Sequence, residues 1–308
     1  MLSYDRLSRK PILFKSFTGL TVQQFDDIYN KEITKRYNKY ELQRLSSTKR
    51  KTVRKREISA GRPFKLDIRD RCIMLIVYYR LYITYTLDGF LFDLDQSNIC
   101  RYIQKVEPLV RNSLPIPQKI YNITKRLRTP DEVEKYFPGF LAFIDSTEQQ
   151  IPRPKNKRKR KSYYSGKKKR HTVKNQFMVN NRGYILDKVA HKEGRRHDYD
   201  VYKKDRPVVP KQVVTVVDLG YLGIEKDFPQ QLSSLPNRKK RNLLQLSQEQ
   251  KGYNKNHSKK RIVIEHTICQ MKKYRILTDV FRNKLKKHNK VSDIVAGLVN
   301  YRKMNCHN

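Results

Sequence analysis

The chain contains 308 residues, of which 69 are Lys or Arg and 29 are Asp or Glu, so its net charge is +40. Such an excess of positive charge requires a polyanionic partner, and nucleic acid fits this better than a membrane surface. No apolar run reaches the roughly 18 residues that a membrane-spanning helix needs, and residues 1–17 contain no secretion-signal pattern. We therefore expect a cytoplasmic protein that has no membrane partner and is long enough for two domains.

The four cysteines are far apart in the sequence and form no CxxC pair: Cys72, Cys100, Cys269 and Cys306. A structural zinc site and a disulfide framework both need closer or paired cysteines. We expect these residues to be core thiols in a reducing compartment.

Residues 1–60 are predicted to form a basic helical N-terminal arm. A helix is expected over residues 20–33, with Thr21 as its N-cap, because Phe25, Ile28 and Ile33 recur at roughly helical spacing. The basic stretch 47–57 fits either a solvated linker or a contact with the DNA backbone.

Residues 61–112 are predicted to form an all-helical DNA-binding domain. A turn at residues 60–63 precedes three predicted helices, at residues 66–84, 84–92 and 93–110. Asp95 is a good N-cap for the third helix, and three helices with a short turn before the last are typical of a helix-turn-helix. In that motif the first residues of the last helix face the major groove, here Gln96, Ser97, Asn98 and Arg101. A plain helical subdomain is the alternative.

Residues 113–137 are predicted to be a linker, with a short capped helix at 128–138, and residues 138–308 a catalytic domain with α/β architecture. Strands are expected over residues 140–147, 176–190 (two strands) and 211–223, and helices over residues 259–277 and 291–304.

Two of the predicted strands end in an acid, Asp145 and Asp218, and a third acid, Glu265, lies on a later helix between Arg261 and Lys272. Sites in α/β sheets form at strand ends, and two desolvated carboxylates persist together when a cation bridges them. Oxygen ligands of this kind select Mg²⁺ or Mn²⁺. The alternatives are ordinary turn residues at the strand ends and a surface ion-pair strip on the helix.

These residues resemble the catalytic triad of DDE transposases. Asp218 follows Asp145 by 73 residues and Glu265 follows Asp218 by 47, and Arg261, Glu265 and Lys272 match the R-x3-E-x6-K signature of the fifth insertion-sequence family. The block DLGYLG (218–223) and the segment SGKKKRHTVKNQ (165–176) are also similar to that family. The family normally has Tyr three residues before the Arg, where this chain has Ser258, so a contact with the DNA end departs from the pattern.

The resemblance implies an RNase H-like catalytic domain preceded by a helix-turn-helix domain. It implies that Asp145, Asp218 and Glu265 hold two Mg²⁺ or Mn²⁺ ions per active site, and that Arg261 and Lys272 hold phosphates. DNA strand cleavage is then followed by strand transfer, with double-stranded transposon ends and target DNA as partners. A dimer or higher oligomer is expected in the synaptic complex, and the location would be the nucleoid of a prokaryotic cell.

Two basic runs follow Asp145 in the sequence. We expect them to form a loop that tracks the DNA backbone through Lys157, Arg158, Lys159, Arg160, Lys168, Lys169 and Arg170, with the intervening Tyr163 and Tyr164 free to stack on unpaired bases. A nuclear-import-like tag is the alternative. The segment 194–200, with His197, Asp198 and Asp200, is predicted to be a polar loop, and the alternative is that it adds a group that supports the metal ligands.

Three functions are consistent with these patterns. The first is an active transposase that acts on terminal inverted repeats. The second is a transposase-derived repressor or architectural protein with an inactive site, and the third is a basic RNA-processing or ribosome-associated protein. The presence of all three carboxylates favours the first.

Overall fold

The computed structural model describes residues 1–45, 64–239 and 245–305. They divide into two compact units, one of Met1–Leu114 and one that begins at Pro115. The predicted basic stretch 47–57 and the predicted turn at 60–63 lie outside the described residues. Within the described ranges, no helix combines the length and the apolar character needed to cross a membrane.

The described part of the first unit is helical. Its helices are α1 (Tyr4–Ser8), α2 (Pro11–Thr18), α3 (Val22–Ile28, continued by a π-helical turn at Tyr29–Ile33), α4 (Thr34–Leu45), α5 (Ile68–Leu81), α6 (Tyr85–Phe92) and α7 (Gln96–Ser113). The predicted cap of α3 is confirmed, since the Thr21 side chain accepts from Gln24 N.

Residues 1–45 pack onto α5, although the sequence predicted a separate arm. The Tyr4 N–H donates to Asp70 Oδ1 at 2.6 Å, and Arg80 Nε donates to Ser16 O at 3.2 Å. Phe14 and Phe25 are fully buried, with ring centroids 5.7 Å apart. Because these apolar side chains need a partner surface, the first helices and the three-helix region share one core.

The three predicted helices of the DNA-binding region are confirmed as α5, α6 and α7. Asp95 caps α7 as expected, accepting from Ser97 N at 2.7 Å. The turn between α6 and α7 folds tightly onto α6, since the Leu94 N–H donates to Gly89 O and a Cβ at Gly89 would clash with Leu94 O. Glycine at position 89 therefore permits the close approach of the turn that sets the direction of α7.

The second unit combines a mixed sheet with helices. Its helices are α8 (Pro117–Thr124), α9 (Pro130–Tyr136), α10 (Lys157–Tyr163), α11 (Asp198–Lys204), α12 (Ile224–Asp227), α13 (Gln248–Lys272) and α14 (His288–Met304). Its strands are β1 (Leu141–Gln150), β2 (Tyr164–Ser165), β3 (Arg170–Asn180), β4 (Ile185–Lys188), β5 (Lys192–Glu193), β6 (Val214–Val216) and β7 (Ser233–Ser234).

The strand order is β2-β3-β1-β6-β7, with β4 and β5 also paired to β3. Strand β1 lies antiparallel to β3 and parallel to β6, and β6 is parallel to β7. Strand β1 extends to Gln150 because it pairs with β3 along its whole length, so Asp145 lies in the middle of β1 and not at its end as predicted.

The segment predicted as a linker contains α8 and α9, which pack on one face of the sheet. Val133 and Phe137 are fully buried in the same cluster as Ala142 and Ile144 of β1. These apolar side chains explain why residues 115–137 belong to the second unit.

Helix α13 begins at Gln248 and ends at Lys272, whereas the prediction placed this helix at 259–277. The Ser247 side chain and Gln250 form a capping box that starts the helix 11 residues earlier than predicted. The expectation of core thiols holds for Cys72, which is buried, but is wrong for Cys269, which is exposed on α13; Cys100 is half-buried. Cys306 lies outside the described residues.

Candidate active site

Asp145 and Asp218 are carried by neighbouring parallel strands. In the register of β1 and β6, Leu141 aligns with Val214 and Phe143 with Val216. Continuing this alignment by two residues brings Asp145 level with Asp218, and adjacent strands lie about 4.8 Å apart. The two predicted aspartates therefore meet at one point of the sheet.

Asp218 opens the turn that leaves β6. It is the N-cap of the 3₁₀ helix Leu219–Tyr221, and its Oδ1 accepts from the Gly220 N–H at 2.8 Å. Tyr221, at the end of this helix, is fully buried and anchors the turn against the sheet. The turn thus holds the Asp218 carboxylate near the sheet surface.

The surroundings of the Asp145 carboxyl disfavour its charged form. Burial raises its pKa from the ordinary value of 3.8 to about 6, against the lowering effect of the Arg261 guanidinium and of the Ser146 N–H, which donates to Oδ1 at 2.7 Å. The nearby carboxylates of Asp218 and Asp198 raise this pKa further. Two neighbouring aspartates, one of them in a largely buried position, are a donor set that suits a divalent cation.

Helix α13 contributes Arg261 to this group. Arg261 Nη2 lies 3.3 Å from Asp145 Oδ2, and both side chains are largely buried, at 13% and 22% exposure. One turn earlier on α13, His257 is buried and its Nε2 lies 3.1 Å from Ser234 O. The helix that was predicted to carry the third acid therefore faces β1 at Asp145.

Glu265 lies one turn after Arg261 and is exposed. Among residues 1–45, 64–239 and 245–305, no three His, Cys, Asp or Glu side chains are close enough to hold one metal ion together. The structure thus brings Asp145 and Asp218 together, places Arg261 at the Asp145 carboxylate, and does not bring Glu265 into a metal-binding cluster with other described residues.

Asp198 lies beside the aspartate pair, in a segment that the sequence interpretation treated as a polar loop. It begins α11, and its Oδ1 forms an ion pair of 2.9 Å with Lys174 Nζ. The loop prediction is corrected because Val201 and Tyr202 are buried and dock α11 against the sheet. The sequence signal for this helix is Asp198 followed by the apolar residues Val201 and Tyr202 at helical spacing.

A basic cleft of about 1360 Å³ borders Asp145 on the side of Ser146. Its lining includes four of the predicted DNA-contacting residues, Lys157, Arg160, Lys168 and Lys272, together with Arg153, Lys161, Tyr164, Lys167, Arg195 and Arg196. The remaining predicted residues of the two basic runs, Arg158, Lys159, Lys169 and Arg170, are exposed and lie outside this lining. Arg170 instead donates to Gln150 Oε1 at 2.9 Å.

The first basic run is a helix and not the predicted loop. Asn156 caps α10, with its side chain accepting from Lys159 N at 3.1 Å. Lys and Arg have good intrinsic helix propensity, and the cap provides the start signal. One face of α10 therefore points at the cleft and the other at solvent.

Comparison with known proteins shows the family to which this chain belongs. The family described as DDE superfamily endonuclease matches residues 144–300, and the family described as helix-turn-helix of DDE superfamily endonuclease matches residues 64–116. The chain belongs to the DDE superfamily endonucleases. It is 32% identical over 253 residues to a probable transposase for insertion sequence element IS702 from Microchaete diplosiphon, covering 82% of this chain and 86% of the relative. No solved structure matches significantly.

This DDE protein is a transposase with a helix-turn-helix domain, and its second unit is an RNase H-like DDE domain, so the predicted fold class is confirmed. The two matched families imply that it binds DNA. DDE superfamily endonucleases generally use divalent metal ions, in keeping with the paired aspartates.

In the helix-turn-helix of this transposase, the four predicted base-contacting residues occupy the first turns of α7. Gln96, Ser97 and Arg101 are exposed, and Asn98 is half-buried. Arg101 Nη1 donates to Asn98 Oδ1 at 3.3 Å, and Gln96 Oε1 accepts from Thr86 Oγ1 at 3.0 Å. These side chains are available at the helix N-terminus, where the prediction requires them.

Proposed function

We propose that this transposase binds the terminal inverted repeats of its element and catalyses metal-dependent strand cleavage and strand transfer. The observation that carries the proposal is the alignment of Asp145 with Asp218 on parallel strands, next to the basic cleft. A phosphodiester bound along the cleft then lies close to both aspartates, since Ser146, next to Asp145, lines the cleft.

Asp145 and Asp218 are the proposed ligands of Mg²⁺ or Mn²⁺, with Glu265 as the third ligand and two ions per site. When bound, such ions activate water and stabilise the leaving 3′-oxygen. Arg261 balances the Asp145 charge in the arrangement described above. For Glu265 to join the ligand set, Arg261 leaves Asp145 and turns towards a DNA phosphate, the role predicted for it.

The cations of the cleft hold the DNA backbone. Lys272 extends from α13 into the cleft, whereas Arg160 and Lys161 extend into it from α10, so both walls carry positive charge. Such contacts neutralise phosphates without reading sequence. The exposed Tyr164 lines the same cleft and offers an aromatic face to an unpaired base.

Sequence recognition is proposed for the first turns of α7. Amide side chains such as Gln96 and Asn98 can bond adenine edges, and Arg101 can bond guanine or a phosphate. A dimer or higher oligomer would bring two transposon ends together in the synaptic complex.

A second candidate is a transposase-derived DNA-binding protein without cleavage activity. The observation that favours it is the ion pair between Arg261 and Asp145, together with the absence of a three-carboxylate cluster in the described part of the chain. An assay with supercoiled DNA that carries the element's terminal inverted repeats separates the two candidates. Mg²⁺-dependent nicking supports the transposase, whereas tight, salt-sensitive binding without nicking supports the second candidate.

A further inference from the structure

Lys174 is a buried amine surrounded by oxygen atoms of the protein. It is 6% exposed, and its Nζ lies 2.9 Å from Asp198 Oδ1, 2.6 Å from Arg196 O and 3.7 Å from Glu148 Oε1. The Arg196 carbonyl accepts a hydrogen bond from Nζ, and the carboxylates of Asp198 and Glu148 form ion pairs with the same ammonium group. Although Lys174 lines the basic cleft, its charge is used inside the protein and is not offered to DNA phosphates.

The partner of Lys174, Asp198, lies against the turn that carries Asp218. A Cβ at Gly220 would meet Asp218 Oδ1 at 2.9 Å and would lie 3.8 Å from Asp198 Oδ2. The two carboxylates therefore both lie close to one backbone position, Gly220. Like charges this close repel, and Lys174 supplies the counter-charge that lets Asp198 remain there.

A second set of contacts connects the backbone of Asp198 with both catalytic strands. Gln176 Nε2 donates to Asp198 O at 3.1 Å and to Tyr221 Oη at 2.8 Å. Tyr221 ends the turn after Asp218, and its hydroxyl lies 3.4 Å from the Oγ of Ser146, the residue after Asp145. Lys174 and Gln176 are two residues apart on β3, so they share one face and act on the same helix start.

We propose that Asp198, held in place by Lys174, is a positioning residue that fixes the Asp218 turn relative to Asp145. It acts through Lys174 and the α11 backbone and is not itself a metal ligand. The inference rests on the proposed function, because the aspartate pair must bind a divalent cation for its spacing to matter. Partners that orient metal ligands typically change metal affinity by about 10–100-fold when they are removed.

The test measures Mn²⁺ binding to the full-length protein without DNA by electron paramagnetic resonance. Thermal unfolding of each variant is measured in parallel. Asp198→Asn and Lys174→Met are each expected to weaken Mn²⁺ binding about tenfold. The double variant is expected to bind Mn²⁺ about as tightly as the single variant with the lower affinity, because the two residues act as one unit. Asp200→Asn removes an exposed acid two residues along α11 and is the matched control, expected to leave binding unchanged.

The outcomes separate the inference from the proposed function. Unchanged Mn²⁺ affinity in both single variants overturns the inference, and so does a loss in Asp198→Asn without one in Lys174→Met, which would make Asp198 a ligand. Absence of Mn²⁺ binding in the wild-type protein overturns both the metal site and its positioning. If Lys174→Met fails to fold, Lys174→Gln takes its place, since it removes the positive charge but keeps a polar side chain, and the same weakening of Mn²⁺ binding is expected.

Discussion

Arg261 Nη2 lies 3.3 Å from Asp145 Oδ2, so the helix that carries Glu265 contacts the sheet through an ion pair with Asp145. The guanidinium lowers the Asp145 pKa, whereas burial and the neighbouring acids raise it, and burial prevails. The ion pair explains how two aspartates coexist at this point of the sheet before DNA or metal binds.

Replacement of Arg261 by Gln is expected to move the titration of Asp145 to higher pH. The wild-type carboxyl is expected to titrate near pH 6, and removal of the guanidinium takes away the largest influence that lowers its pKa. Carboxyl-carbon NMR of the metal-free protein measures this midpoint. Arg275→Gln, which removes an exposed guanidinium that pairs with Asp279, is the control and should leave it unchanged. A midpoint that stays in place in Arg261→Gln would show that the contact has little electrostatic effect.

The raised pKa of Asp145 also predicts a pH-dependent stability. The folded protein binds this proton more tightly than the unfolded chain, whose aspartate titrates near 3.8, so the contribution to stability is full below about pH 4 and is lost as the pH rises through about 6. Asp145→Asn imitates the protonated form. We expect the metal-free variant to be more stable than the wild type by about 1–3 kcal/mol at pH 7 and nearly equal to it at pH 4.

Urea unfolding at the two pH values measures this difference. Other groups with raised pKa values, such as Asp88 and Asp187, affect both proteins equally and cancel in the comparison. An Asp145→Asn variant that is less stable than the wild type at pH 7 would mean that the charged carboxylate stabilises the fold. That result would contradict the destabilising effect expected from its burial.

Asp145 and Asp218 were predicted from the sequence to share a metal site, but the strand register that brings them together was not. An apolar run that leads into an acid identifies Asp145 and Asp218, whereas their alignment depends on the parallel register of β1 and β6, which is set by pairing between distant segments. The expectation that Asp145 ends its strand was wrong because β3 continues to pair with β1 as far as Gln150.

The surroundings of the site were less accessible to sequence reasoning. The resemblance led to the expectation that Arg261 holds phosphates. Helical spacing shows which face of α13 carries Arg261, but not that Asp145 is its partner across the fold. Asp198 was assigned to a loop because its place beside Asp218 depends on the packing of α11. The basic runs were recognised from composition alone, whereas only the fold shows which of their cations line the cleft.

The orientation of α10 predicts unequal roles for two of its arginines. Arg160 lines the cleft and is half-buried, whereas Arg158 is exposed and lies outside the lining. Each lost phosphate contact lowers the slope of log K for DNA binding against log salt concentration by about 1. Arg160→Ala is therefore expected to reduce the slope of log K against log salt by about 1, and Arg158→Ala by much less, as measured by fluorescence anisotropy. Equal reductions would contradict the placement of the cleft.

Gly220→Ala is expected to disturb the Asp218 carboxylate directly. The added methyl would lie 2.9 Å from Asp218 Oδ1, so the side chain must rotate away, and Mn²⁺ binding should weaken. A methyl added at Gly252, within α13, would meet no atom of the described residues within 4 Å. Gly252→Ala is therefore the control, which should leave Mn²⁺ binding unchanged and stabilise the helix by about 0.5–1 kcal/mol. Isothermal titration and thermal unfolding of both variants measure these effects. Wild-type Mn²⁺ affinity in Gly220→Ala would show that the tight approach does not constrain Asp218.

The most direct test of the account is the rate of Mg²⁺-dependent nicking at the terminal inverted repeats in Asp145→Asn, Asp218→Asn and Glu265→Gln, with DNA affinity measured alongside. We expect each variant to bind the repeats as the wild type does and to lose at least about a thousandfold in nicking rate, because metal-held carboxylates carry the chemistry. Nicking at the wild-type rate in either aspartate variant would contradict the assignment of the active site to Asp145 and Asp218.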